Sequence, residues 1–246
     1  MSEHNPIIEW WIRLNGHKFD LSDAARFVKN ETICKVELDD DGEYYLKSES
    51  LNGFGDGWEV LARGEYLTAQ INGALKALLP DFRPIRATNV VPIHENGGHG
   101  VVILPHTAKI EIRGGRLTVT VSGEEPKDES AEITRWLEIS EQESDVADAL
   151  HYLSREPDWF DLYKGYEVIR KDLGGKDQLV NSLGADATDK ADLRDEVTLF
   201  ASTAQDFRHS RRTGSSPPNP MTLDDAHALM KDLSARYLRH KGNQRV

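Results

Sequence analysis

The chain has 246 residues, of which 38% are hydrophobic, 29% charged and 8% aromatic, the proportions of an ordinary soluble globular protein at the polar end of its class. Five Trp among those aromatics are enough to build a core, which excludes wholesale disorder. The single cysteine, Cys34, excludes an internal disulfide and a Cys-clustered zinc site, and a net charge of -12 excludes a protein that coats nucleic acid with its whole surface.

The start, MSEHNPIIEWW, lacks the basic and apolar regions of a signal peptide, and no apolar run approaches the roughly 18 residues of a membrane span. The chain is therefore expected in the cytoplasm, away from membranes. Ile7 to Leu14 (IIEWWIRL) is a β-favouring run closed by Asn15-Gly16, a strong hairpin signal, and His17–Leu21 alternates as its return strand. On that strand Trp10 and Trp11 point to opposite faces, so one ring is core and the other is available as an interface anchor. Ile33–Leu38 and Tyr44–Ser48 are further strands about the turn Asp39-Asp40-Asp41-Gly42. One convincing helix follows, Trp58 to Leu79, ended by Pro80, and then three strand candidates, Val101–Leu104, Lys109–Arg113 and Leu117–Val121.

The polar stretch Ser122–Ser130 marks a linker, after which every strong signal is helical. Asp145–Ser154 has an apolar face. Asp158 is placed to cap a helix ending at Gly174-Gly175, with Trp159, Leu162, Tyr163, Tyr166, Ile169 and Leu173 inward. Lys190 to about His209 carries the stripe Leu193, Val197, Phe200, Ala204 and Phe207. Thr222-Leu-Asp-Asp225 fits a capping box, with Asp in place of Glu, for the last helix.

Familiar catalytic patterns are missing. His94, His99 and His106 with Glu95 are spaced through a flexible turn rather than as a zinc site, and no HExxH occurs. Gly53-Phe-Gly55-Asp-Gly57 and Leu173-Gly-Gly-Lys176 read as turns, not as dinucleotide or P-loop cradles. There is no GxSxG, and Cys34 sits in a strand as an inert thiol. No cofactor and no metal is expected.

Charge is unevenly placed. Residues 1–125 hold 13 basic and 19 acidic side chains and residues 126–207 hold 9 and 20, but residues 208–246 hold 8 basic and only 3 acidic. The densest positive charge is Arg208, His209, Arg211 and Arg212, followed by the Gly-, Ser- and Pro-rich run to Pro220. Guanidiniums beside an imidazole can grip phosphate and do acid–base chemistry on an RNA backbone. They equally suit a helix C-terminus, where cations offset the macrodipole.

The helical half, with its Arg/His element before the last helix, resembles the small helical domains of the HEPN superfamily over about 100 residues. The resemblance implies bacterial defence or stress systems and, for active members, ribonuclease chemistry. The family's signature, an Arg followed after four to six residues by a His, is not present; Arg208-His209 and Arg236-Tyr-Leu-Arg-His240 fall short of that spacing. The whole chain also looks like uncharacterised bacterial two-domain proteins with an Asn219-Pro-Met-Thr-Leu lead-in to the final helix.

The expected architecture is α+β. A mixed, mainly antiparallel sheet with one long helix spans residues 1–122, a linker 123–139, and a four-helix-type bundle 140–246. The expected function is interaction or regulation, through a protein partner or self-association at the basic loop or at Trp10 and Trp11. Two alternatives stay open. One is an RNA- or nucleotide-processing enzyme with His209 and Arg208 as catalytic groups and nucleic acid held on residues 208–220 by Arg208, His209, Arg211 and Arg212. The other is a small-ligand sensor.

Overall fold

A computed structural model describes residues 6–30, 32–79, 81–95, 129–208 and 219–244. The fold is α+β, with an antiparallel sheet in the N-terminal part and helices in the C-terminal part. Two compact units divide the chain: Met1–Thr68 with Arg83–Thr134, and Ala69–Phe82 with Arg135–Val246.

The first unit is built on strand β1 (Ile7–Asn15), where Trp10, Ile12 and Leu14 are buried and the residues between them are less so. That period of two assigns one face to the core. β1 pairs antiparallel with β4 (Tyr44–Lys47) on one side and β5 (Arg86–His94) on the other. β3 (Cys34–Leu38) and the two-residue β2 (Lys29–Asn30) extend the sheet in the order β2-β3-β4-β1-β5. Gly42, with φ of 80°, closes the expected turn between β3 and β4. Helix α2 (Gly57–Leu78) approaches the sheet at Gly64, where a Cβ would stand 2.5 Å from Cγ1 of Ile12.

The return strand expected over His17–Leu21 is instead the start of helix α1 (Lys18–Phe27). The Nδ1 of His17 accepts from the Phe19 N–H, and Leu21, Ala24 and Phe27 are buried at helical spacing. Five alternating residues were too few to separate the two periods. β1 consequently finds both partners far along the chain. β5 was not foreseen. It holds Pro92, which cannot donate to a ladder, and it lies at an end of the sheet among the described residues, where a proline is tolerated. The strands expected at Val101–Leu104, Lys109–Arg113 and Leu117–Val121 lie outside the described residues.

In the second unit the four expected helices are α4 (Ser144–Ser154), α5 (Trp159–Asp172), α7 (Ala187–Arg208) and α8 (Leu223–Asn243). Two more are present. α3 (Ser130–Ser140), of which residues 130–134 fall in the first unit, takes up residues 130–139 of the segment read as linker, because Ile133, Trp136 and Leu137 recur at helical spacing and are buried. α6 (Lys176–Leu183) follows the Gly174-Gly175 stop, whose φ values of 86° and 118° end α5. α5 packs against α4, α6, α7 and α8, with Tyr166 as one of its fully buried side chains. Polar groups tie the elements: the Tyr237 hydroxyl donates to Asp172 at 2.8 Å, and Lys241 bridges Asp172 and Glu143 at 3.1 and 2.5 Å. None of the described helices is long and apolar enough to cross a membrane.

Candidate functional site

The side chains of α7 lead from core to surface. Leu193, Val197, Phe200 and Ala204 are each 2% exposed or less, as the stripe requires. Phe207 continues that stripe in sequence, but the residue is 61% exposed. It stacks on Trp159, the first residue of α5, with centroids 4.9 Å apart and planes 1° from parallel. Trp159 is fixed by the cap beneath it, since Asp158 accepts from the Asp161 N–H at 2.7 Å. Phe200, Tyr163 and Tyr166 form the buried part of the same aromatic column, with Trp159 6.3 Å from Phe200.

Arg208 is the last residue of α7. Its side chain, and His209, Arg211 and Arg212, lie outside the described residues, so the Arg/His element is located only by its flanks. The downstream flank is anchored on α7 itself, where Thr203 Oγ1 accepts from the Met221 N–H at 3.2 Å. Thr222 then caps α8 as expected, its Oγ1 accepting from the Asp225 N–H at 3.1 Å and bonding the Asp225 carboxylate at 2.7 Å. The described chain thus ends at Arg208 on the last turn of α7 and resumes with Met221 bonded to Thr203 of the same helix.

The other expected interface residues are placed differently from one another. Trp10 is core, 8% exposed, with its backbone N–H donating to Asn52 Oδ1 at 2.8 Å. Trp11 lies half-buried on the opposite face, 5.6 Å from Tyr45, with Lys47 Nζ 3.5 Å above its ring. Lys47 and Lys35 both pair with Glu37, at 2.9 and 3.1 Å, and these bonds hold the Glu37 carboxyl below its usual range.

A second group escaped sequence reading. Lys76 of α2 is 4% exposed and donates to the carbonyls of Ser154 and Arg155 at 3.0 and 2.7 Å, closing the C-terminal end of α4. Burial pushes its ammonium down to about 8. His227 is held low by burial and by the Lys76 and Lys231 charges, and its buried Nε2 has no hydrogen-bond partner among the described residues. Lys231 is lowered by burial and reaches Leu79 O at 3.5 Å. The partners of Lys76 are 78 and 79 residues away, beyond any local motif.

A third feature is a cleft of about 910 Å³ within the first unit, where β1 ends and β4 begins. Arg13, paired there with Glu43, and Lys18 supply its cations. No group of three or more His, Cys, Asp or Glu among the described residues is arranged to hold a metal ion. His94 ends β5, and His99 and His106 lie outside the described residues. No family model, curated protein or solved structure matches the chain.

Proposed function

We propose that this chain is an interaction protein that docks through the end of α7, with Phe207 on Trp159 as the apolar anchor and Arg208, His209, Arg211 and Arg212 as the charged border. The observation that carries this is the 61% exposure of Phe207 while its ring is already stacked on Trp159. A large aromatic already stacked loses little entropy on binding, which makes it an effective anchor.

Charge favours one kind of partner. The same helix carries Asp192, Asp195 and Glu196 exposed on its first half, and Glu196 lies three turns back on Phe207's side. Two copies of α7 placed antiparallel about a two-fold axis would bring the end of each helix, where the basic sequence 208–212 begins, over the acidic half of the other. The partner is therefore a second copy of the chain, and self-association is the regulatory event. Light scattering tests it: a dimer mass at low salt, and a monomer mass for Phe207→Ser with unchanged secondary structure. A wild-type monomer under those conditions overturns the proposal.

The exposed aromatic also favours a second reading, RNA bound by base stacking beside the cations, with His209 and Arg208 as the catalytic groups of a HEPN-like nuclease. It predicts excess absorbance at 260 nm that high salt removes, and RNA cleavage abolished by His209→Ala. A clean protein spectrum and intact RNA reject it.

A further inference from the structure

The cleft in the first unit is assembled from five elements, with Leu38 contributed by the end of β3. Arg13, Leu14 and Asn15 come from the end of β1, Lys18 and Leu21 from the start of α1, Tyr44 from β4, and Thr88 and Asn89 from β5. Its volume of about 910 Å³ falls within the range of small-molecule sites, roughly 300–1,000 Å³. Its lining has the mixture such sites use: apolar groups for area and a few polar groups for orientation.

The charges limit what fits. Arg13 is already met by Glu43, so those two cancel. Lys18 is exposed and makes no ion pair among the described residues, which leaves the cleft one positive charge on a molecule whose net charge is -12. One uncancelled ammonium matches one negative charge; a phosphate dianion would call for more. Among its lining residues Leu14 and Leu21 are buried, Tyr44 is half-buried and Leu38 is 56% exposed. Thr88 Oγ1 is spent on Arg13 O at 3.0 Å, whereas the Asn15 and Asn89 amides make no hydrogen bond to another described side chain and can both donate and accept.

We infer that this cleft binds a small organic acid, a monocarboxylate with an apolar body, its carboxylate on Lys18 and the neighbouring asparagine amides and its body against Leu14, Leu21, Leu38 and Tyr44. The site lies wholly in the first unit and does not depend on the docking surface of α7.

The test titrates ¹⁵N-labelled full chain with 3-phenylpropionate, indole-3-acetate and octanoate, with 3-phenylpropanol as the neutral counterpart of the first. At least one acid is expected to give saturable shifts at the Asn15, Lys18 and Asn89 amides, with the alcohol binding at least fivefold more weakly. Lys18→Gln, an exposed substitution, is expected to weaken the acid about fivefold and leave the alcohol unchanged, while Leu38→Asp weakens both. No saturable shift at these amides with any of the three acids overturns the inference. So does acid binding no tighter than alcohol binding, or indifference to Lys18→Gln.

Discussion

Gly73 is a point in α2 where a side chain has no room. A Cβ there would run into the carbonyl of Leu150, and a backbone carbonyl cannot swing away as a side chain can. At Gly64 the obstacle is the side chain of Ile12, which has some freedom to move. Alanine gains about 1 kcal/mol of helix propensity at either position, against an overpacking penalty of roughly 1–3 kcal/mol. Gly73→Ala is accordingly expected to destabilise by about 2 kcal/mol, the upper end of that difference, and Gly64→Ala by less than about 1 kcal/mol, as read from urea unfolding. Equal effects would refute the distinction. Lys76 gives a pH signature. Its folded value of about 8 lies below the ordinary 10.5, so the unfolded chain binds more protons between those values. Stability contributed at this residue is therefore full above 10.5 and lost as pH falls through 8. The rise with pH, on the order of 3 kcal/mol for the whole span, is expected in the native chain and absent in Lys76→Met, as measured by denaturant midpoints from pH 7 to 10.5. Parallel curves for the two proteins would contradict it.

At the scale of elements, legibility followed the length of the pattern. α2, α4, α5, α7 and α8 carried their own caps or several turns of spacing, and β1, β3 and β4 lay in β-favouring runs marked off by turn residues. α1 failed because its decisive residues, Ala24 and Phe27, came after the five that looked like a strand. β5 was illegible because Asn89 and Pro92 speak against a strand until β1 is there to pair with it. The candidate sites were harder still. Phe207 fits an inward stripe on paper, yet the residue stands largely in solvent, its stacking on Trp159 notwithstanding. The cleft gathers residues from Arg13 to Asn89 and has no local spacing to read. Caps are the element-level features open to direct test. Thr222→Ala removes the bond to the Asp225 N–H, at the point where the chain re-enters the bundle. A loss of about 1 kcal/mol is expected, with faster hydrogen exchange in the first turn of α8. A change below the measurement error would show that the cap contributes nothing.

For the whole molecule, the deciding property is where charge sits, not its total. Residues 126–207 carry 20 acidic side chains against 9 basic ones, and residues 208–246 carry 8 basic against 3 acidic. A net charge of -12 by itself argues for repulsion between copies. In the proposed docking, the acidic first half of α7 and the basic sequence from Arg208 onward would convert that repulsion into an orientation-dependent attraction, strongest at low ionic strength, where the Debye length is about 30 Å at 0.01 M against about 8 Å at 0.15 M. Sedimentation velocity across that salt range, on wild type and on Arg211→Glu/Arg212→Glu, tests this most directly. The proposed docking predicts a wild-type dimer that dissociates as salt rises and a double variant that is monomeric throughout with native secondary structure. A wild-type chain that remains monomeric at 0.01 M salt and 100 µM protein, or a variant that dimerises as well as wild type, would contradict it.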